Sequence, residues 1–292
     1  MRKNKTNLWL LLLSALLFLQ GCTAFTPDES QTTPSESKNP NPDGTVVGCY
    51  QNMEYTYLTD VDVSVLTTNL SDVYLLLMNK NITLGSDYVP ASLTILSCPV
   101  LESGRTYELE SRAAAALDGL LREMQAAGVT DVKVCSSYRS YSKQQSLYNH
   151  YLEQESSTIS PDAYTFFGYD YIKANYTNQG KTALTREDAE KLVLSYSAYP
   201  GTSEHQTGLC VDFITEEMGT DLTVAFENTG AFAWLRENAY KFGFILRYPK
   251  GKEEITGYTY EPWHYRFVGR EAATDIHHAS ITLEEYLELI DP

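Results

Sequence analysis

Apolar residues recur at helical spacing over Ser111 to Ala127, where Leu117, Leu120, Leu121 and Met124 share one face of an alanine-rich run that stops at Gly128. Alanine and leucine favour a helix and glycine ends one, so a helix is predicted here. Asp131 to Cys135 reads as a short strand, and a second helix is expected over Ser142 to Glu155. A third runs from Thr185, placed as N-cap by Asp188 three residues on, through Tyr196. A fourth covers Asn228 to Phe242 and stops at Gly243. The unbroken apolar run from Leu209 to Ile214 reads as a buried strand, with shorter strands at Phe244 to Tyr248 and Gly257 to Glu261. Helices and strands in runs, without regular βαβ alternation, predict an α+β fold. Residues 156 to 184, rich in Tyr and polar groups, read as an inserted loop at the border of a cleft, and no internal repeat is evident.

Chemistry concentrates at two places. Ser203-Glu204-His205-Gln206-Thr207-Gly208-Leu209-Cys210-Val211-Asp212 and Glu261-Pro262-Trp263-His264 together supply two histidines, an aspartate and a further glutamate. Two imidazoles and one carboxylate leave the fourth position of a tetrahedral zinc open for water, which hydrolysis requires. The spacing is not that of a helical zinc site with histidines at i and i+4. His205 falls in a loop feeding the strand that carries Asp212. Glu261 and His264, three apart, would face opposite sides of a regular strand; Pro262 suits an edge or bulge that resets the alternation and aims both at one site. The chain reads as a zinc peptidase.

These residues resemble the VanY-type zinc D-alanyl-D-alanine carboxypeptidases of the D,D-peptidase/Hedgehog-like fold. The matching patterns are Ser-x-His-x-x-Gly-x-x-x-Asp over Ser203 to Asp212, Glu-Pro-Trp-His over Glu261 to His264, and a preceding Ser136-Ser137-Tyr138-Arg139-Ser140. Flanking pieces, among them Tyr199-Pro200-Gly201-Thr202 and Arg247-Tyr248-Pro249, extend the likeness from about Leu75 to Gly269. The resemblance implies a small antiparallel sheet flanked by helices with the zinc site at the sheet. It implies one zinc per chain held by His205, Asp212 and His264, Glu261 as general base, and Arg139 as the cation facing the scissile carbonyl. Ser203, Tyr138 and Trp263 would contact the substrate, a peptidoglycan stem peptide losing its C-terminal D-alanine. Cys210 stands where the family usually has alanine, a change of packing that leaves the ligand set intact.

The chemistry agrees with those roles. Zinc lowers the pKa of its water to about 7, so an adjacent carboxylate can take the proton and pass it to the leaving amine. A fixed guanidinium stabilises an oxyanion more in the transition state than in the ground state. Any one of these residues taken singly is more simply a satisfied polar group; the joint pattern reverses that weighting. Trp263 and Tyr265 read as packing at the pocket wall, and His150, His277 and His278 as surface residues. Within the same family an L,D-carboxypeptidase acting on tetrapeptide stems or a D-Ala-D-Ala dipeptidase is the alternative, and outside it a non-catalytic wall-binding lipoprotein. Intact Glu261 argues against the last.

The start of the chain speaks to location. Arg2, Lys3 and Lys5 precede the apolar run Leu8 to Leu19, too short to span a bilayer, and Leu19-Gln20-Gly21-Cys22 resembles a bacterial lipobox. Residues 1–21 are thus expected to be a lipoprotein signal peptide and Cys22 a lipidation site. Residues 22–45, almost wholly Ser, Thr, Pro, Asn, Gln and acidic, read as a disordered tether reaching about 25 Å. An N-terminal arm over 46–100 and a zinc peptidase domain over 101–292 complete the organisation. The protein is expected to be a monomer, extracytoplasmic and lipid-anchored to the bacterial cell membrane. A net charge of −16, more negative once Arg2, Lys3 and Lys5 are removed, excludes nucleic acid as a partner. Export permits disulfides, and Cys49 with Cys98 could staple the arm, whereas Cys135 and Cys210 read as small buried hydrophobes.

Overall fold

In the computed structural model, residues 47–48, 50, 53–68 and 73–290 are described. The leader, the tether, Cys22 and Cys49 lie outside them. A short hairpin pairs β1 (Leu93–Ile95) with β2 (Glu108–Glu110). It leads into α1 (Ser111–Ala126), whose N-terminus is capped by Glu110 accepting from the amides of Arg112 and Ala113. Its buried stripe of Ala113, Ala116, Leu117, Leu120 and Met124 follows the helical period, and truncating a leucine there would cost about 2–5 kcal/mol.

The stripe packs on a four-stranded antiparallel sheet, ordered β3 (Lys133–Ser136), β4 (Cys210–Ile214), β6 (His264–Phe267), β5 (Phe244–Leu246). On the two central strands, Val211, Phe213, Tyr265 and Phe267 face the core shared with α1. Alternation sends Cys210, Asp212, His264 and Arg266 to the other face.

Between β3 and β4 lie α2 (Tyr141–Ser157), α3 (Pro161–Phe167), α4 (Tyr169–Asn175) and α5 (Arg186–Tyr196). They form their own apolar cluster around Tyr148, Leu152, Ile172, Leu192 and Val193. The stretch expected to be a loop over 156–184 is thus mostly helical, with Ser160 capping α3 at Pro161 and the Tyr176 hydroxyl donating to Asp188, and it borders the cleft as expected. Thr185 caps α5 through the Asp188 amide, as its spacing predicts.

After α6 (Gly230–Asn238) the helix tightens to a 3₁₀ turn over Ala239–Phe242 before Gly243. A left-handed φ of 82° suits that glycine, and a Cβ there would meet the Phe267 ring at 2.7 Å. The strand expected over Gly257 to Glu261 is absent. The short α7 (Glu253–Thr256) occupies the preceding residues and the chain enters β6 only at His264. The chain closes with α8 (Arg270–Ala279) and α9 (Leu283–Ile290), which pack on Tyr240 and Ile245. His277 and His278 lie on α8; His278 is exposed, as expected, whereas His277 is half-buried and stacks on Tyr240 at 3.9 Å.

Among the described residues Cys98, Cys135 and Cys210 are free thiols; the staple expected between Cys98 and Cys49 involves a residue outside them. The described residues belong to one unit within Lys38–Pro292.

Candidate metal centre and active site

Strand register assembles the centre. Ser136 on β3 opposes Asp212 on β4, Asp212 opposes His264 on β6, and the His264 carbonyl accepts from the Arg247 amide just past β5. Opposed residues share a face, so four strands present Ser136, Asp212, His264 and Arg247 in one row. His205 joins from a 3₁₀ turn over Glu204–Thr207. Gly208 ends that turn at φ 68°, close to the Glu110 amide, where a Cβ would come within 3.2 Å.

The two rings meet edge to face, centroids 5.1 Å apart. His205 Nδ1 lies 2.7 Å from the Ser137 carbonyl. A carbonyl only accepts, so Nδ1 carries a proton and Nε2 is the nitrogen turned inward, 3.1 Å from Asp212 Oδ2, where a metal ion would take the lone pair in place of a proton. His264 is arranged the other way round: Nε2 faces Glu204 at 3.4 Å, and Nδ1 points inward, 2.9 Å from Asp212 Oδ1. Donors on a tetrahedral zinc sit about 3.3 Å apart, and in the usual pattern each imidazole gives its outer N–H to an acceptor. His205 Nε2, His264 Nδ1 and the Asp212 carboxylate fit that ion. The surroundings also favour positive charge: burial alone would lower the His205 pKa, but Cys210 and Asp212 beside it raise it to about 9. Burial would raise Asp212, yet the two imidazoles hold it well below the carboxylate range.

Behind His264 is a buried charge network. Glu204 Oε1 accepts from Arg247 Nε at 2.7 Å and from an Arg266 terminal nitrogen at 2.8 Å. Arg247 also forms a two-bonded pair with Glu284 at 2.7 and 2.9 Å. Arg266 reaches the carbonyls of Tyr74 and Leu76. Both arginines are fully buried. Burial would raise the Glu204 pKa, and the two guanidiniums instead hold it far below its usual value. Glu204 is thus an anion that fixes the His264 ring. Sequence reading missed it, as the unspecified residue of Ser-x-His. The signal lay in Arg247 and Arg266, two cations among strand hydrophobics that need a buried carboxylate.

Glu261 reaches the centre by a turn, not a strand bulge: the His264 amide donates to the Glu261 carbonyl at 3.2 Å. Its carboxylate stands 3.8 Å from His264 Nδ1, and burial, with Asp212 nearby, pushes its pKa up to about 7. Arg139 follows β3 with its backbone amide bonded to the His205 carbonyl. Its guanidinium donates to Gln144 Oε1 at 2.6 Å and Ser136 Oγ at 2.7 Å, and among the described residues it forms no ion pair. Gln144 is itself anchored to the Ala198 carbonyl at 2.6 Å.

A cleft of about 800 Å³ exposes this group. Arg139, His205, Asp212, Glu261, Trp263 and His264 line one side, with Ser203 at the 3₁₀ turn. Leu147, Tyr151, Phe166, Leu192 and Tyr196, from the α2–α5 segment, line the other. Tyr138 is not in the lining; it lies near Glu108 and Tyr88. Tyr265 is buried in the core behind the sheet rather than at the pocket wall. His150 is exposed on α2.

Comparison with known proteins agrees with this geometry. Residues 106–270 match the family model described as VanY, D-alanyl-D-alanine carboxypeptidase. The chain belongs to the VanY family. The putative carboxypeptidase YodJ of Bacillus subtilis is 34% identical over 221 residues, 74% of this chain and 67% of YodJ. A D-alanyl-D-alanine carboxypeptidase of Enterococcus faecalis is 40% identical over 182 residues, 61% of this chain and 55% of its own length. Among solved structures, the LdcB LD-carboxypeptidase superposes with a TM-score of 0.58 at 33% identity, covering 74% of this chain and 86% of that one. A mutant of the vancomycin-resistance D,D-pentapeptidase VanY in complex with Zn(II) does so at 0.55 and 34%, covering 74% and 99%. The fold is Hedgehog-like α+β, as the motifs imply, and the protein is a zinc metallopeptidase of the D-alanyl-D-alanine carboxypeptidase type.

Proposed function

We propose that this carboxypeptidase removes the C-terminal D-alanine of a peptidoglycan stem peptide, with His205, Asp212 and His264 holding one zinc. The observation that carries the proposal is the half-buried Glu261 beside the His-Asp-His set, lining a cleft that also contains Arg139. Bound zinc would supply Lewis acidity and lower the pKa of water to about 7. Glu261 takes the proton of the attacking water and returns it to the departing amine; burial keeps its proton affinity near neutrality. Arg139, braced by Gln144 and Ser136, faces the oxyanion of the tetrahedral intermediate. Trp263 and Ser203 shape the substrate side of the cleft.

The likeness to LdcB favours a second reading, L,D-cleavage of a tetrapeptide stem. The two differ in the configuration of the residue before the scissile bond, which the cleft wall selects. Quantifying D-alanine released from defined penta- and tetrapeptide stems, with and without chelator, separates them. Pentapeptide cleavage abolished by chelator is expected; release from tetrapeptide alone would assign the second reading, and release unaffected by chelator would remove both.

The site of action is proposed from the sequence: outside the cytoplasm, as a monomer held to the membrane by lipid on Cys22. Labelling of cells with a palmitate analogue should mark the wild type and not Cys22→Ala; equal labelling of both would exclude that anchor.

A further inference from the structure

Cys210 is on the donor face of the sheet. It lies two residues before Asp212 on β4, so both side chains point the same way, and it opposes Arg266 on β6. A cysteine serving only as a small hydrophobe belongs on the other face, where Val211 and Phe213 enter the core. Instead its Sγ, one ring nitrogen of His205 and one of His264 all lie within 4.8 Å of one another, and all three residues are buried. On a tetrahedral zinc a sulfur at about 2.3 Å and a nitrogen at about 2.0 Å are roughly 3.5 Å apart. Rotation about the single χ1 of cysteine is the movement that would close the difference. Thiolate is the softest donor in this centre and suits zinc.

We propose that Cys210 is a fourth protein ligand of the zinc in the substrate-free enzyme, completing a His205-Asp212-His264-Cys210 set. This rests on the zinc site proposed above. On ligation the thiol releases its proton to solvent as the sulfur–metal bond forms; when the position is vacated for water, that bond breaks and the sulfur takes a proton back. The resting centre is then closed like a structural site and becomes catalytic only when the thiol leaves.

Cobalt substitution of the full chain reads the ligand directly. Wild type loaded with one Co(II) should show visible d–d bands and a near-ultraviolet thiolate-to-cobalt charge-transfer band. Cys210→Ala should still bind one cobalt and lose the charge-transfer band, while Cys135→Ala, which removes the other thiol near Asp212, should keep it. One bound cobalt with d–d bands and no charge transfer in wild type would overturn the cysteine ligand and leave the zinc site standing. Persistence of the band in Cys210→Ala would overturn it as well. Failure of wild type to bind cobalt or zinc would bring down the metal centre itself.

Discussion

The two walls of the cleft are built by different means. The sheet wall places its side chains by register: Ser136, Asp212, His264 and Arg247 share one row because four strands are paired, and Glu204, Arg247 and Arg266 are locked behind it with full burial. The helical wall, α2 to α5, rests on its own cluster of leucines and tyrosines, and it meets the cleft with side chains such as Phe166, 47% exposed. A backbone ladder and a charge network tolerate little change. A helical layer with a separate core can vary its surface without disturbing the sheet. On the proposed function, chemistry falls to the first wall and discrimination among stem peptides to the second.

The largest effect on this contrast should come from Glu261→Gln. It keeps the shape of the base and removes its proton affinity, so turnover should fall about 10²–10⁴-fold while one zinc remains bound. Metal analysis beside steady-state kinetics checks it; substantial residual turnover would move the base elsewhere. Arg139→Lys comes next. It keeps charge but cannot span Gln144 and Ser136 with a planar fork, so kcat should drop about a hundredfold with KM little changed. A raised KM at constant kcat would place Arg139 on the substrate carboxylate instead.

Legibility followed the same division. The candidate metal set could be named because its residues sit in short contiguous motifs, and the strand of Asp212 was readable because Leu209 to Ile214 is uniformly apolar apart from the aspartate and cysteine. The helices of residues 156–184 were not, since their apolar contacts are tyrosines and single aliphatics under a polar composition that resembles a loop. Glu204 was hidden for another reason: its role depends on Arg247 and Arg266, respectively 43 and 62 residues away, which only tertiary structure brings to it. The turn at Pro262 was misplaced because a bulge and a turn both reset side-chain direction, and sequence does not separate them. Cys210 read as a small buried residue and is fully buried, but which face of the strand it occupies became visible only with the register.

A middle-sized effect tests the charge network. Glu204→Gln should weaken zinc binding about 10–100-fold by loosening the His264 ring, and it should lower the melting temperature because two buried guanidiniums lose their anion. The folded pKa of Glu204 lies below its unfolded value of about 4.3. Its contribution is therefore complete above that pH and is lost as pH falls below it. Thermal melts from pH 6 downward should thus converge between wild type and Glu204→Gln; a gap that stays constant with acid would remove the charge from the account. The smallest effect belongs to the other wall: Phe166→Ala should alter KM and the preference between penta- and tetrapeptide stems only a few-fold, consistent with a half-exposed contact, and leave zinc stoichiometry unchanged. Loss of metal in that variant would show that the two walls are not independent.

In the proposed zinc site, the strand register of Asp212 and His264 and the 3₁₀ turn of His205 together aim three particular atoms at one ion. Anomalous scattering at the zinc edge, from crystals of the full chain grown with zinc, tests it most directly. The account predicts one peak about 2.0–2.2 Å from His205 Nε2, His264 Nδ1 and an Asp212 oxygen, with His205 Nδ1 still on the Ser137 carbonyl and His264 Nε2 on Glu204. A peak bound to the opposite ring nitrogens, or no peak between these three residues, would contradict it.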